Sequence, residues 1–551
     1  MHRREKILTK ICKKRLTVLK MKTIKVHYLL IALLITLLLV YVLMNYLWLG
    51  HKTKGHISSL KLQNVIVHLD LKGSPPKLSY LKTLLPMLKS LGATGFLMEY
   101  EDMFPYEGRL VNLSASNRYD GSELKEFLTE AVKSGFEIIP LVQTFGHMEH
   151  VLKLAEFQYL RETPFYPDSI CPSQKQSQDL IKEMLEQVIT FHNEIAPLKH
   201  FHIGCDEVYH INSCGKCRSR LVPSVQLFVS HVETVKDMIK ELSPNIDVLI
   251  WDDMLRSINV SEWDSIKSLK DIEPVYWDYK SKISLSHVSL LKYHSRFKEI
   301  WTASAFKGAD GRTATLPNMK NRFLNHYSWM SSIRGYKFGG TKVTFNFKGI
   351  ILTGWSRYSH MDPPCELLPS SIPSLVVNLL LIQRFKEGIP QDYKFRYVDD
   401  FFGTFLLEKF NKHLQCGTSA SVEYFDNYQC TFEGNELYKV QKVLENVVRK
   451  VTTAYYDINR GLSIIEYYAN TNNVNRNMAG PNMAWCNETL VELLQTEKQM
   501  ADELSKYFDR SFVNEYVNFK SYNAKRILYK LLKGLQRSVN VKTWPRRPYN
   551  I

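Results

Sequence analysis

Eight β-rich apolar runs, alternating with helical-period stretches between residues 65 and 358, predict an α/β fold built as a (β/α)8 TIM barrel. The 551 residues suit a barrel of about 250 to 350 residues with additions at both ends. A helical C-terminal domain is expected to follow the barrel, and one transmembrane helix to precede it. The third observation is positional: polar and Trp residues gather at one end of nearly every run, where a barrel of this type keeps its chemistry.

The runs are Val65 to Lys72, Gly95 to Asp102, Glu137 to His147, His200 to Val208, Val248 to Leu255, Pro274 to Tyr279, Glu299 to Gly308 and Gly349 to Tyr358. Between them, Leu78, Leu81, Leu84, Leu85, Leu88 and Leu91 recur at helical spacing, as do Leu180, Ile181, Met184, Leu185, Val188 and Ile189. Such helices would cover the outside of the barrel. The run ends hold Asp70 and Lys72; Glu99, Glu101 and Asp102; Gln143 and His147; Asp206 and Glu207; Trp251, Asp252 and Asp253; Trp277, Asp278 and Tyr279; Trp301 and Lys307; Trp355 and Arg357. Core groups serving only packing would be scattered along the strands instead. Past about residue 390 the β signal fades. Leu437, Val440, Val443, Leu444, Val447, Val448 and Val451 mark a helix, Leu490 to Phe508 and Asn514 to Leu535 read alike, and no chemistry is visible there.

The first 27 residues carry ten Lys or Arg against the single acid Glu5, over half of the net charge of +17, so the basic balance is mostly a tail effect. Residues 28–49 follow without a charge, long enough to cross a bilayer, with Tyr and Trp near the ends. No small-residue cleavage site is evident, so the segment reads as an uncleaved anchor whose cationic side stays cytosolic. A nucleic-acid partner for the tail is the weaker reading, because its place beside the span explains it. The expected organisation is a cytosolic tail over 1–27, an anchor over 28–49, a stem over 50–60, the barrel over 61–390 and the helical domain over 391–551. A short tail, one span and a stem are the layout of resident Golgi enzymes, which predicts a single-pass type II Golgi membrane protein with a luminal barrel.

In that space the acceptor sequons at Asn112, Asn259 and Asn487 would be open to glycosylation. Disulfides are permitted there too. Of the nine cysteines, Cys12 lies in the tail, and the closest pairs by spacing are Cys214 with Cys217 and Cys416 with Cys430. The CxxC spacing also admits zinc, but no second ligand pair at similar spacing is apparent, so a disulfide is expected and no metal.

The stretch His200-Phe-His202-Ile-Gly204-Cys-Asp206-Glu207-Val-Tyr209 runs an apolar strand straight into two adjacent carboxylates. That is costly unless they reach a solvated or hydrogen-bonded site. Alternation puts His202, Gly204 and Asp206 on one face, and Glu207 joins them only where strand gives way to loop. A lone Asp-Glu is most often a solvated strand end; here the neighbouring Trp residues point to a sugar, whose C–H faces stack on aromatic rings. Two carboxylates beside such a cleft suit glycoside hydrolysis. The usual pair stands about 5 to 10 Å apart across the sugar, whereas sequence neighbours share a side, which fits attack by the substrate's own 2-acetamido oxygen.

His202-Ile-Gly-Cys-Asp206-Glu207 resembles the His-x-Gly-x-Asp-Glu signature of glycoside hydrolase family 20, the β-N-acetylhexosaminidases, and the barrel with a helical C-terminal part looks like its hexosaminidase D branch, well over roughly Val65 to Ser359 and loosely beyond. Glu99 to Pro105, Gln143 to His147, Trp251 to Met254, Tyr276 to Tyr279, Ser304 to Gly308 and Thr353 to Tyr358 agree with it. The resemblance implies that Glu207 is the general acid and base and that Asp206 holds the acetamido N–H. It implies that Trp251, Trp277 and Trp355 wall the acetamido pocket, that His147 and Asp102 support acid and sugar, and that no cofactor is needed. An acid in such a pocket is expected to have its pKa pushed up.

Departures from the family pattern are Lys72 in place of an Arg that grips ring hydroxyls, Phe306 near the place of an acetamide-binding Tyr, and Trp355-Ser-Arg357 where Trp-x-Glu is usual. Asp70, Lys72, Tyr279 and Arg357 complete the expected sugar-binding set, with Tyr279 as substitute hydroxyl donor. The predicted function is release of terminal β-linked GalNAc or GlcNAc from glycans. Its alternatives are a catalytically silent, lectin-like barrel and a barrel glycosidase acting on a sugar without an acetamido group.

Overall fold

The computed structural model describes residues 33–44, 57–58, 60–334, 336, 347–390, 398–417, 430–457 and 461–546. Eight parallel strands close into one barrel: β1 (Asn64–Asp70), β2 (Gly95–Glu99), β3 (Glu137–Leu141), β4 (His200–His202), β5 (Asp247–Trp251), β6 (Ile272–Trp277), β7 (Ile300–Lys307) and β8 (Phe347–Gly354). Each pairs with the next in sequence, and β8 closes on β1 with Gly349 opposite Asn64. All eight predicted runs therefore supply strands. Most strands are shorter than their runs, because the polar residues at the run ends bend away from the ladder into loops.

Alternation fills the interior. Ile66, Leu97, Ile139, Leu141, Leu249, Trp251, Val275, Trp301, Ala303 and Ile351 form one buried cluster, and Trp277 and Trp355 pack against it. The two-residue period then carries each strand from apolar to polar toward its C-terminal end, as in Ile66, His68, Asp70 or Leu97, Glu99, Glu101. Trp301 departs from expectation: it is the second residue of β7, fully buried, with Nε1 donating to Glu273 Oε2 at 2.7 Å. It closes the N-terminal end of the barrel rather than the cleft.

Helices α1 (Leu78–Ser90), α2 (Lys175–Asn193) and α3 (Ser224–Leu242) belong to the outer layer, and the predicted leucine stripe of α1 is buried. The C-terminal region is helical, built mainly from α4 (Asn435–Tyr456), α5 (Arg476–Leu504) and α6 (Arg510–Val539). Barrel and C-terminal helices fall in one compact unit, Ser59–Glu387 with Phe395–Ile551. In a second unit, Ile57–Ser58 pairs antiparallel with Ile389–Pro390.

Of the expected anchor, residues 33–44 are helical with every residue exposed, while 28–32 and 45–49 lie outside the described residues. Among the described residues no helix is long and apolar enough to cross a membrane. The basic tail with Cys12 and most of the stem likewise lie outside them.

Cys416 and Cys430 are joined by a disulfide. Cys214 and Cys217 are not. Cys214 caps a short helix, its Sγ accepting the Cys217 N–H at 3.2 Å, and both sulfurs turn toward Cys171. Asn112 is exposed within the short 3-10 helix Gly108–Leu113, Asn259 caps the helix Val260–Ser265 through the Glu262 N–H, and Asn487 is exposed within α5 with Thr489 buried beneath it.

Candidate active site

The C-terminal strand ends surround a cavity of about 250 Å³ whose walls include Gln143, His147, Asp206, Glu207, Trp251, Trp277, Tyr279 and Trp355. The barrel thus brings together lining residues that lie up to 286 positions apart in sequence, from Lys72 to Tyr358 (358 − 72). Trp251 and Trp355 meet at 5.9 Å, and Trp277 stacks on Tyr279 at 5.2 Å. This is an apolar wall with one polar corner, the form a sugar-binding cleft requires.

That corner depends on backbone that the sequence alone could not place. After β4 the chain enters the left-handed region at Gly204 (φ +67°), Cys205 (φ +67°) and Glu207 (φ +48°), while His147 (φ +51°) does so after β3. Gly204 has no alternative, since a Cβ there would stand 1.9 Å from Gln143 Oε1. The non-glycine residues hold a conformation that costs about 1 to 2 kcal/mol each, and it turns both carboxylates toward the cavity. The Glu207 N–H is held by Asp253 Oδ2 at 2.9 Å, and Asp253 Oδ1 also accepts from Trp277 Nε1 at 3.3 Å.

His147 Nε2 lies 3.5 Å from Asp206 Oδ2 and 3.3 Å from Glu207 Oε2. Burial works against charge on this imidazole, but the two carboxylates outweigh it and raise its pKa to about 10. Burial pushes Asp206 up to about 7 despite His147, with help from Asp253, Glu99 and Glu207. Glu207 moves the other way: its bond to His147 holds it below the ordinary range, with Tyr209 assisting. The expectation of a raised Glu207 is therefore corrected. The proton retained toward neutral pH sits on Asp206, because Glu207 has the cation's bond and the more open position.

Beneath the cavity, Gln143 Nε2 donates to Asp206 Oδ1 at 3.2 Å and reaches Glu99 Oε1 at 3.5 Å. Glu99 is fully buried and bonds His68 at 2.9 Å; Lys72 and His68 overcome its desolvation and lower its pKa. Lys72 lines the cavity, over the Trp355 ring at 5.2 Å, and is anchored by Asp70, Glu99 and Glu101 at 3.3 to 3.5 Å. Its burial opposes the charge, but those three carboxylates keep the ammonium protonated.

Of the expected sugar contacts, Asp70 and Asp102 stand outside the cavity lining, and Arg357 lines it with its guanidinium engaged elsewhere. Asp70 spends its oxygens on Lys72 and on the Ser356 N–H at 2.7 Å, beneath the cavity wall. Asp102 faces Lys153 at 3.8 Å and His360 at 3.6 Å, outside the wall. Arg357 lines the cavity, but Nη1 and Nη2 grip Glu515 of α6 at 2.7 and 2.8 Å and also donate to Asp362 O and Gly73 O. Nor does Phe306 stand where an acetamide-binding residue could: alternation turns it out of the barrel between Ala305 and Lys307, fully buried. Tyr279 does face the cavity.

Gln143 and Asp253 were visible at strand ends without a role to assign. Glu515 gave no signal, because a lone acid on an amphipathic helix looks like any solvated residue.

A TIM barrel whose strand ends ring an indole-walled cavity with an Asp-Glu pair has the make-up of a barrel glycosidase. Residues 81–285 match the model of the glycosyl hydrolase family 20 catalytic domain. Human hexosaminidase D is 41% identical over 359 residues, 64% of this chain and 71% of that protein. The Bos taurus hexosaminidase D is 42% identical over 62% of this chain and 98% of that protein. The chain belongs to glycosyl hydrolase family 20, as a hexosaminidase D-like glycoside hydrolase. Among solved structures, the β-N-acetylhexosaminidase from Bacteroides fragilis NCTC 9343 is similar with a TM-score of 0.47 and 14% identity, over 64% of this chain and 71% of that one.

Proposed function

We propose that the protein is an exo-β-N-acetylhexosaminidase that removes terminal β-linked GalNAc or GlcNAc from glycans by substrate-assisted, retaining hydrolysis. The observation that carries this reading is one-sidedness. Asp206 and Glu207 are the carboxylates lining the cavity among the described residues, and they leave a single loop tied by one histidine. A two-sided mechanism needs a second carboxyl across the sugar.

The substrate's acetamido oxygen takes the nucleophile's place. It bonds to the anomeric carbon as the bond to the leaving group breaks, and Glu207 gives that leaving oxygen its proton. Asp206, ionised, accepts the acetamido N–H and balances the oxazolinium charge. Glu207 then takes a proton from water, which opens the oxazolinium at the anomeric carbon and restores the β configuration. The pair carries one proton below about pH 7. In the free site it rests on Asp206, and an acetamido N–H arriving there favours its transfer to Glu207.

The proposal extends to place: a single-pass type II Golgi membrane protein with a luminal barrel. The ten cations before an uncharged 28–49 segment, with 33–44 helical and exposed, support it. The test is hydrolysis of chromogenic β-GlcNAc, β-GalNAc and β-glucose substrates by the full chain and by Glu207→Gln. Cleavage of an acetamido sugar but not the glucoside, with kcat reduced about 10²- to 10⁴-fold in the variant, is expected. Equal cleavage of the glucoside would overturn the assisted mechanism, and a folded but silent wild type would overturn the enzymatic reading.

A further inference from the structure

Beside the active-site loops lies a second cluster that the reaction does not use. Cys171 Sγ stands 3.3 Å from Cys214 Sγ and 3.7 Å from Cys217 Sγ, and Cys217 Sγ is 3.3 Å from Glu162 Oε2. All four donor atoms lie within 4.8 Å of one another. Cys171 and Cys217 are fully buried, Glu162 is 1% exposed, and Leu227, Ile211 and Val222 pack around the thiols.

Three features of this cluster are awkward for a set of thiols alone. A carboxylate buried to this degree ordinarily has a cationic partner. Glu162 instead accepts the Ser213 and Cys214 N–H groups on Oε1, at 2.6 and 3.0 Å, and meets the Cys217 thiol with Oε2. A disulfide uses two sulfurs, and here three converge. Finally, the Cys217 N–H donates to Cys214 Sγ at 3.2 Å and the Ser173 hydroxyl lies 3.1 Å from Cys217 Sγ, contacts that stabilise sulfur as thiolate.

We propose that Glu162, Cys171, Cys214 and Cys217 form a closed tetrahedral site for one structural zinc ion. Zinc takes thiolate at about 2.3 Å and carboxylate at about 2.0 to 2.2 Å, so a tetrahedron's S···S edges are about 3.7 Å, close to the separations already present. A divalent cation supplies the positive charge that Glu162 lacks, and it uses all three sulfurs. The second ligand pair escaped the spacing argument because it has no CxxC form: Glu162 lies within the antiparallel hairpin Arg161–Thr163 with Tyr166–Ile170, Cys171 directly follows it, and both meet the Cys214–Cys217 turn from 43 or more residues away.

The ion would staple the segment after β3, which carries His147, to the loop after β4, which carries Asp206 and Glu207. Cys214 is seven positions beyond Glu207 (214 − 207). This role is structural and does not depend on which sugar is cleaved.

The test uses the full chain purified in detergent without chelators, with metal content measured by plasma mass spectrometry and thiols counted after denaturation with and without EDTA. About one zinc per chain is expected, lost in Cys171→Ser and in Cys217→Ser, with the three thiols recovered reduced. Replacing zinc by cobalt should give a thiolate-to-metal charge-transfer band that Cys217→Ser lacks. A metal-free wild type whose peptides show any two of these cysteines in a disulfide would overturn the site. Zinc retained in both serine variants would overturn it too. If the variants do not fold, the wild-type metal and thiol counts alone decide. None of these readouts requires activity, so they stand apart from the hydrolase proposal.

Discussion

His147 decides which of two neighbouring carboxyls holds a proton. Its cation depresses Glu207, while burial lifts Asp206 to about 7. The pair must carry one proton to work, so kcat/KM should fall as pH rises through about 7, read from a pH profile of the wild type. His147→Asn removes a charge that lowers both carboxyl pKa values, so the same limb should move to higher pH while kcat drops. A histidine that merely packs would leave the limb in place. The sign for stability runs separately: a carboxyl whose folded pKa exceeds its unfolded value loses stability as pH rises between the two. Asp206→Asn should therefore melt above wild type at pH 8, with the advantage gone near pH 4, as thermal unfolding at the two pH values would check.

At the scale of elements, the loop after β4 is held in left-handed backbone. Gly204→Ala would add a Cβ at 1.9 Å from Gln143 Oε1 and keep φ at +67°, so it should lower Tm by several degrees, consistent with a loss of about 2 to 4 kcal/mol. Arg357 and Glu515 tie β8 to α6. Glu515→Ala leaves the guanidinium with its carbonyl partners only, and because Glu515 is half exposed the loss should be about 1 to 2 kcal/mol in a denaturant titration. The sequence made the strands legible because a barrel stamps a two-residue period and a polar end on every run. Asp206, Glu207 and the three indoles were legible for the same reason. Contacts between distant elements carry no period. Glu515 on an ordinary helix, and Glu162 within a hairpin with Cys171 just after it, became visible only once folding had brought them near Arg357 and the CxxC turn.

For the whole molecule, the division of labour is between a barrel that supplies every residue lining the cavity and a C-terminal helix that holds one of them, Arg357, from outside. Where the family pattern has an acid at the third position of Trp-x-Glu, this chain has Arg357, and an acid from α6 meets it. Glu515 lies outside the cavity lining, with both its oxygens on Arg357, so its charge is matched there rather than presented to the cavity. Lys72 is a similar case: lacking the fork of an arginine, it is fixed by three carboxylates and points one charge at the cavity. Lys72→Ala should raise KM more than it lowers kcat on whichever acetamido sugar is cleaved, as initial-rate kinetics would measure.

The Arg357–Glu515 pair spans 158 residues, and its acidic member lies on α6. During synthesis the barrel strands leave the ribosome long before α6 does. A nascent chain thus has every strand of its barrel, and every residue that lines the cavity, before Arg357 gains its carboxylate partner. Until then the Arg357 guanidinium has its carbonyl partners alone, so the last fixing of that side chain is timed by the arrival of α6.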